Sequence, residues 1–255
     1  MLIFAFKIII TPLLIGLVTL VGRKWGTIVS GCLIGLPLTS GPISLILAMQ
    51  YGPEFAVRSA IGSLAGQVSI CIFCLVYYYA SQKHRWAISV IISAVSFLAA
   101  TSVFNYFSWS LMPAVLILVL TTFIVSQAIP NKPVSSKFST PPAWDIPARM
   151  IIATAFVCLL TTVADRLGPQ LSGLLAPFPV FSLVISAFTH QQQGADSTAR
   201  LLRGIVTGSI AYAGFFLMVH ACLLSLGIAI TFTLAAMTAL SVSSISIYIS
   251  RRQAA

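Results

Sequence analysis

Two short segments carry the residue types from which a polar site inside an apolar chain can be built. One is GLPLTSGP, Gly35 to Pro42; the other is APFP, Ala176 to Pro179, followed by Ser182 and Ser186. A proline inside a helix removes a backbone hydrogen bond and clashes with the preceding turn. Pro37 and Pro42, flanked by Gly35 and Gly41, therefore predict an unwound or sharply kinked stretch, and Pro177 and Pro179 predict a second one. Unwound backbone inside a bilayer is tolerated only where protein buries it or where it lines a cavity. The candidate substrate-binding groups are the hydroxyls of Thr39, Ser40, Ser44, Ser182 and Ser186 and the backbone around Pro37, Gly41, Pro177 and Pro179. The alternative reading of the same residues is a kink that only shapes helix packing.

Two acid–base pairs at i,i+4 spacing form a second constellation: Glu54 with Arg58 and Asp196 with Arg200. They can be gates, one on each face of the protein. The plainer reading is a helix N-terminus carrying an acid that suits its dipole, plus a weak ion pair. Cys71 and Cys74 make a C-x-x-C, but no basic neighbour stands by to lower a thiol pKa, so they read as small buried side chains. Lys7 and Arg149 read as snorkelling anchors at helix starts. Cys, His and acidic residues are not clustered as metal ligands, and no nucleophile–base arrangement or phosphate-cradling loop can be assembled. The expectation is a protein that is not an enzyme and needs neither metal nor cofactor.

The elements that must position these groups follow from composition. Of the 255 residues, 58% are hydrophobic and only 7% charged. Such a chain cannot cover a water-facing surface, and lipid is its natural solvent. Its apolar runs are long and continuous, which favours helices over a barrel. Predicted spans are Leu2–Gly22, Thr27–Met49, Ser59–Ala80, two within Trp86–Ala128 with a hairpin at Asn105, Pro147–Ala164, Pro169–Thr189, Gly204–Ala221 and Leu226–Ile249. A polar linker, Pro130–Trp144, separates the fifth from the sixth. The opening MLIFAFKIII lacks the basic start of a signal peptide and reads as the first span.

The net charge of +10 is not gathered into a stripe that would fit nucleic acid. It falls in short clusters between the spans. One set of loops holds Arg23, Lys24, Lys83, Arg85, Lys132, Lys137, Arg149, Arg200, Arg203, Arg251 and Arg252; the other holds Lys7, Arg58 and Arg166. By the positive-inside rule the N-terminus lies outside and the C-terminus in the cytoplasm.

The chain also matches itself without a gap at a shift of 142 positions. Ser30-Gly31 falls on Ser172-Gly173, Pro37 on Pro179, Ser40 on Ser182, Ile43-Ser44 on Ile185-Ser186, Gln50 on Gln192, Gly52 on Gly194, Arg58 on Arg200, and Gly62 and Gly66 on Gly204 and Gly208. Shared apolar composition yields chance Leu and Ile matches but not matches at Gln, Arg and acidic positions. The expected architecture is all-α and integral to the membrane. About nine spans form a first repeat over 1–108, a linking helix and polar loop over 109–143, and a second repeat over 144–255. Five spans separate equivalent points, an odd number, so the halves are expected to be inverted, as in many secondary transporters. The Gly62/Gly66 and Gly204/Gly208 pairs are small-xxx-small faces for close helix packing.

The stretch SGLLAPFPVFSLVISAF, with Gly194 and Arg200 after it, resembles the GlpM-like family of small bacterial inner-membrane proteins. The likeness covers the second half well and the first half more weakly, where GLPLTSGPIS replaces the Pro-Phe-Pro segment. It implies a bacterial inner (plasma) membrane location and no particular activity. Family members have the size of one repeat here, which suggests that they pair and leaves room for an oligomer. Two readings of function result. The first is a transporter or permease, with an unknown small-molecule substrate, preferably an anion, held at the two helix breaks. The alternative is a non-transporting assembly factor supporting envelope or polysaccharide export. The bilayer is the one partner both require.

Overall fold

The protein is described from a computed structural model. It describes the backbone of residues 2–107, 109–130, 142, 144–175 and 178–252, and the side chains in those ranges except 2–8, 161–175 and 249–252. Among the described residues there is no strand. Eight helical runs follow one another: α1 (Leu2–Trp25), α2 (Thr27–Ile34), α3 (Ser40–Tyr51), α4 (Pro53–Ser81), α5 (Trp86–Asn105), α6 (Leu111–Ala128), α7 (Asp145–Leu175) and α8 (Val180–Arg252). Among the described residues, four stretches are long and apolar enough to cross a membrane: Pro53–Ser81, Trp86–Asn105, Leu111–Ala128 and Val180–Tyr248.

The predicted second span is divided in two. α2 ends at Ile34 and α3 begins at Ser40, with Gly35 to Thr39 between them outside any helix. Pro37 has no amide hydrogen to continue the ladder, which accounts for the break. The predicted boundary between Ala164 and Pro169 is not a helix end, because α7 runs through it to Leu175; Pro169 sits in a helical run. The predicted eighth and ninth spans lie within α8, which is not straight. Gly194 (φ 82°, ψ −179°) and Gly227 (φ 76°, ψ 173°) interrupt it. That region of backbone space is essentially open only to glycine. The chain reverses at Gly227, since the Phe215 and Phe232 rings approach to 6.0 Å between centroids and Gly214 faces Thr238. Along a continuous helix, residues as far apart as Gly214 and Thr238 would stand about 36 Å apart at 1.5 Å per residue.

The surface is apolar where helices face outward. Met112, Leu116, Phe123 and Ile124 of α6, and Ile230, Met237 and Leu240 of α8, are all exposed. A chain that turns large apolar side chains outward around a packed interior is solvated by lipid, and the class it defines is the all-helical membrane protein.

The most extensive packing is that of α2 and α4 on α8. Two small-xxx-small faces meet there, Gly31 of α2 and Gly35 just past its end against Gly204/Gly208 of α8. A Cβ added at Gly208 would lie 2.6 Å from the Cys32 carbonyl oxygen and 2.8 Å from the Gly35 Cα; additions at Gly31, Gly35 or Gly204 collide with backbone in the same way. The expectation of close packing at Gly204 and Gly208 is met, and the partner is the glycine pair of α2. Gly62 faces open space within 4 Å. The expected packing role therefore does not hold at Gly62.

Candidate functional site

The two breaks share their local backbone. In the first, the Leu38 amide donates to the Leu36 carbonyl at 2.8 Å and the Gly41 amide to the Pro37 carbonyl at 2.8 Å. In the second, Val180 donates to Phe178 at 2.8 Å and Leu183 to Pro179 at 2.9 Å. Each bond of the second pair is the first displaced by 142 positions. The tight bond satisfies an amide just past the interruption, and the longer one starts the next helix.

Pro37, Gly41, Ser44, Pro179, Ser182 and Ser186 are buried, and Thr39 and Ser40 are partly so. Pro177 lies outside the described residues. Ser44 and Ser186, 142 positions apart and each one turn or more past its break, are 3% and 0% exposed, and neither hydroxyl has a hydrogen-bond partner. Buried hydroxyls usually bond back to their own helix or to a neighbour; those of Ser69, Thr101, Thr231 and Ser243 are likewise buried with no partner. The Ser63 hydroxyl donates to the Ser59 carbonyl at 3.0 Å. Around the first break the Phe215 ring lies against Gly41; around the second, the Phe178 ring meets Phe97 edge-on at 5.6 Å and Phe156 at a tilt at 5.5 Å between centroids. The two breaks thus touch different elements.

The expected gates differ from each other. Glu54 and Arg58 approach to 3.9 Å with both side chains more than four-fifths exposed. Glu54 lies in the first turn of α4, where an acid suits the helix dipole. Asp196 is exposed, and among the described residues no ion pair joins it to Arg200, whose Nε is buried without a partner.

A stronger charged group lies elsewhere. Asp145, the first residue of α7, is fully buried. Its Oδ2 accepts from Arg23 at 2.8 Å and its Oδ1 from Arg149 Nε at 2.9 Å and from Gln192 Nε2. Arg149 is 4% exposed, donates also to Gln192 Oε1 at 3.3 Å, and lies over the Phe188 ring at 4.9 Å. Burial alone would raise the Asp145 carboxyl; the hydrogen bonds from Arg149, Gln192 and Arg23 outweigh it and hold it below the usual carboxylate range. Arg149 is therefore not a snorkelling anchor. It is buried because a carboxylate one turn earlier pairs with it. The signal available in sequence was Asp145 at i,i+4 to Arg149, one of only four acidic residues.

This group borders a cleft of about 340 Å³ of empty space counting its open mouth. Thr19, Gly22 and Arg23 of α1, Thr27 and Ser30 of α2, Asp145 and Arg149 of α7, and Ile185, Thr189, Gln193 and Leu201 of α8 line it. None of the predicted substrate ligands is among them. Cys71 and Cys74 are buried free thiols, and Cys71 Sγ lies 3.6 Å from Ser209 Oγ. Among the described residues no three His, Cys, Asp or Glu side chains gather as metal ligands.

The chain matches no protein-family model, no curated protein and no solved structure.

Proposed function

We propose that the protein is a membrane transporter or permease built from two inverted repeats, with the interrupted helices as the moving parts around a polar path. The observation that carries this reading is the matched pair of unpartnered hydroxyls, Ser44 and Ser186, one beyond each break. Broken helices at equivalent positions of two halves are where transporters of this architecture place their binding groups. The repeat itself is supported by the recurring backbone bonds at the breaks and by Gly52 and Gly194, which share a left-handed φ of 90° and 82°. Nine spans, with α8 contributing three and the α2–α3 pair one, an N-terminus outside and a cytoplasmic C-terminus belong to the same proposal, as do the inner bacterial membrane, the kinship with GlpM-like proteins and a non-enzymatic role. The substrate preference is a small anion.

Site-directed accessibility tests it. In a chain with its five cysteines replaced, S44C and S186C are expected to react with a small hydrophilic thiol reagent in sealed vesicles. Failure of both to react in the membrane, with full reaction after denaturation, would remove the polar path. The aromatic packing of Phe178 on Phe97 and Phe156 favours that second outcome, and with it the assembly-factor reading, in which the breaks only shape a dry core.

A further inference from the structure

We infer that one end of the bundle is a contact surface for anionic phospholipids, and that the opposite end is not. Contacts between helices fix which groups share that end. Arg23, near the end of α1, bonds Asp145 at the start of α7, and Gln192, just before the Gly194 turn, bonds the same carboxylate. In the last turns of α4, the Tyr77 ring meets the His190 ring edge-on at 6.0 Å between centroids. The end of α1, the start of α7, the Gly194 turn and the α4–α5 loop therefore lie together.

Exposed cations collect at this end. Lys83 and Arg85 stand in the α4–α5 loop and Lys24 follows Arg23, all of them exposed; among the described residues the exposed acid of this end is Asp196. Asp145 offsets none of these outward charges fully, because it is buried and shared with Arg149. Indoles stand beside the cations. Lys24 Nζ lies 5.5 Å from the centre of the Trp25 ring, Trp86 follows Arg85, and Trp144 precedes Asp145; all three indoles are exposed. Exposed indoles settle at headgroup depth, ring toward the acyl chains and N–H toward water. They hold the neighbouring lysine and arginine level with lipid phosphates, where a headgroup of net negative charge is attracted. The opposite end has rings without that charge. Tyr51, Phe55, Tyr106 and Phe107 are exposed there, while Glu54 and Arg58 cancel each other at 3.9 Å. A soluble anion would use the cations alone; an anionic phospholipid uses cations and indoles together.

This contact needs the membrane class alone and stands or falls apart from transport. Trp86 reports it. The full chain with W25F, W109F and W144F, which keeps Trp86 as its one tryptophan, is reconstituted in bilayers that mix plain phosphatidylcholine with brominated phosphatidylglycerol or brominated phosphatidylcholine. Bromine quenches indole fluorescence on contact. Brominated phosphatidylglycerol is expected to reach half-quenching at about a threefold lower mole fraction than brominated phosphatidylcholine, the direction set by the surface cations. K83Q/R85Q is expected to make the two lipids equal, and R58Q, at the other end, to leave the preference intact. Equal quenching before any charge is removed, or a preference that survives K83Q/R85Q, overturns the inference. A preference lost equally with R58Q overturns it too, since a net charge of +10 would then be drawing anionic lipid to the whole chain. Should the chain without Trp109 fail to fold, native mass spectrometry of the unaltered protein gives the same decision. Phosphatidylglycerol is expected to be retained over phosphatidylcholine, less so in K24Q/K83Q/R85Q and undiminished in R58Q; equal retention of the two lipids overturns the contact.

Discussion

Asp145 and Glu54 are both acids at helix starts within reach of arginine, and the surroundings separate them. Glu54 and Arg58 meet in the open, where solvent screens the pair and side-chain entropy opposes it. Asp145 has no exposure and binds three donors that come from α1, α7 and α8. Removing its charge strands Arg149 in the interior. D145N is expected to destabilise the protein by about 3–5 kcal/mol, the scale for breaking a buried pair, while E54Q leaves the melting temperature unchanged within error. Thermal unfolding of both variants in detergent checks this. The pH dependence has a definite sign. The folded carboxyl is lowered, so its stabilisation is complete above the ordinary carboxylate range near pH 4. It drains away as pH falls through the lower folded value, and D145N is expected to lose that acid sensitivity. A wild-type melting temperature that stays flat below pH 4 would contradict the contact.

At the scale of elements, glycine does two separate jobs. Gly208 lets α8 approach α2 until backbone touches backbone, and G208L is expected to cost several kcal/mol because neither helix can give way. Gly194 instead supplies a turn, with open space around it and a left-handed φ. G194A is expected to cost about 1–3 kcal/mol through strain alone. Gly62 has neither constraint, and G62A is expected to be neutral or stabilising by up to about 1 kcal/mol. The order G208L, G194A, G62A in melting temperature is the measurement; an inverted order would show that packing and turn were confused. Sequence alone located the first break, since two prolines and two glycines within eight positions leave a helix no choice. It also found Gly204 and Gly208, but paired with the wrong expectation at Gly62, because spacing reveals a small face and not what lies opposite. The Asp145 network escaped notice for a similar reason: its members are far apart in sequence, and only tertiary contact brings Arg23 and Gln192 to one carboxylate.

For the molecule as a whole, the apolar exterior and helical class were written in composition, while the division of spans was not. Continuous hydropathy cannot mark where α8 reverses, and proline at 169 suggested an end that α7 does not have. Topology is decided by mapping. Reporter fusions or cysteine labelling are expected to put Gly52 and Asn105 outside and Lys83, Lys137, Gly194 and Arg251 inside. Gly52 and Gly194 on one side would end the proposed inverted arrangement and, with it, the transporter reading built on it.

Near the middle of the bundle, the Gln67 amide donates to the Ser209 hydroxyl at 2.9 Å, both side chains buried, and the two positions are 142 apart. Under the proposed repeat, each residue is therefore bonded to its own counterpart. In a two-fold pair of identical subunits, a residue on the axis faces a copy of itself. Under the proposed repeat, a single chain is free of that constraint: Gln67 and Ser209 are separate positions, so an amide stands against a hydroxyl, and a group lying across the pair would meet two different faces.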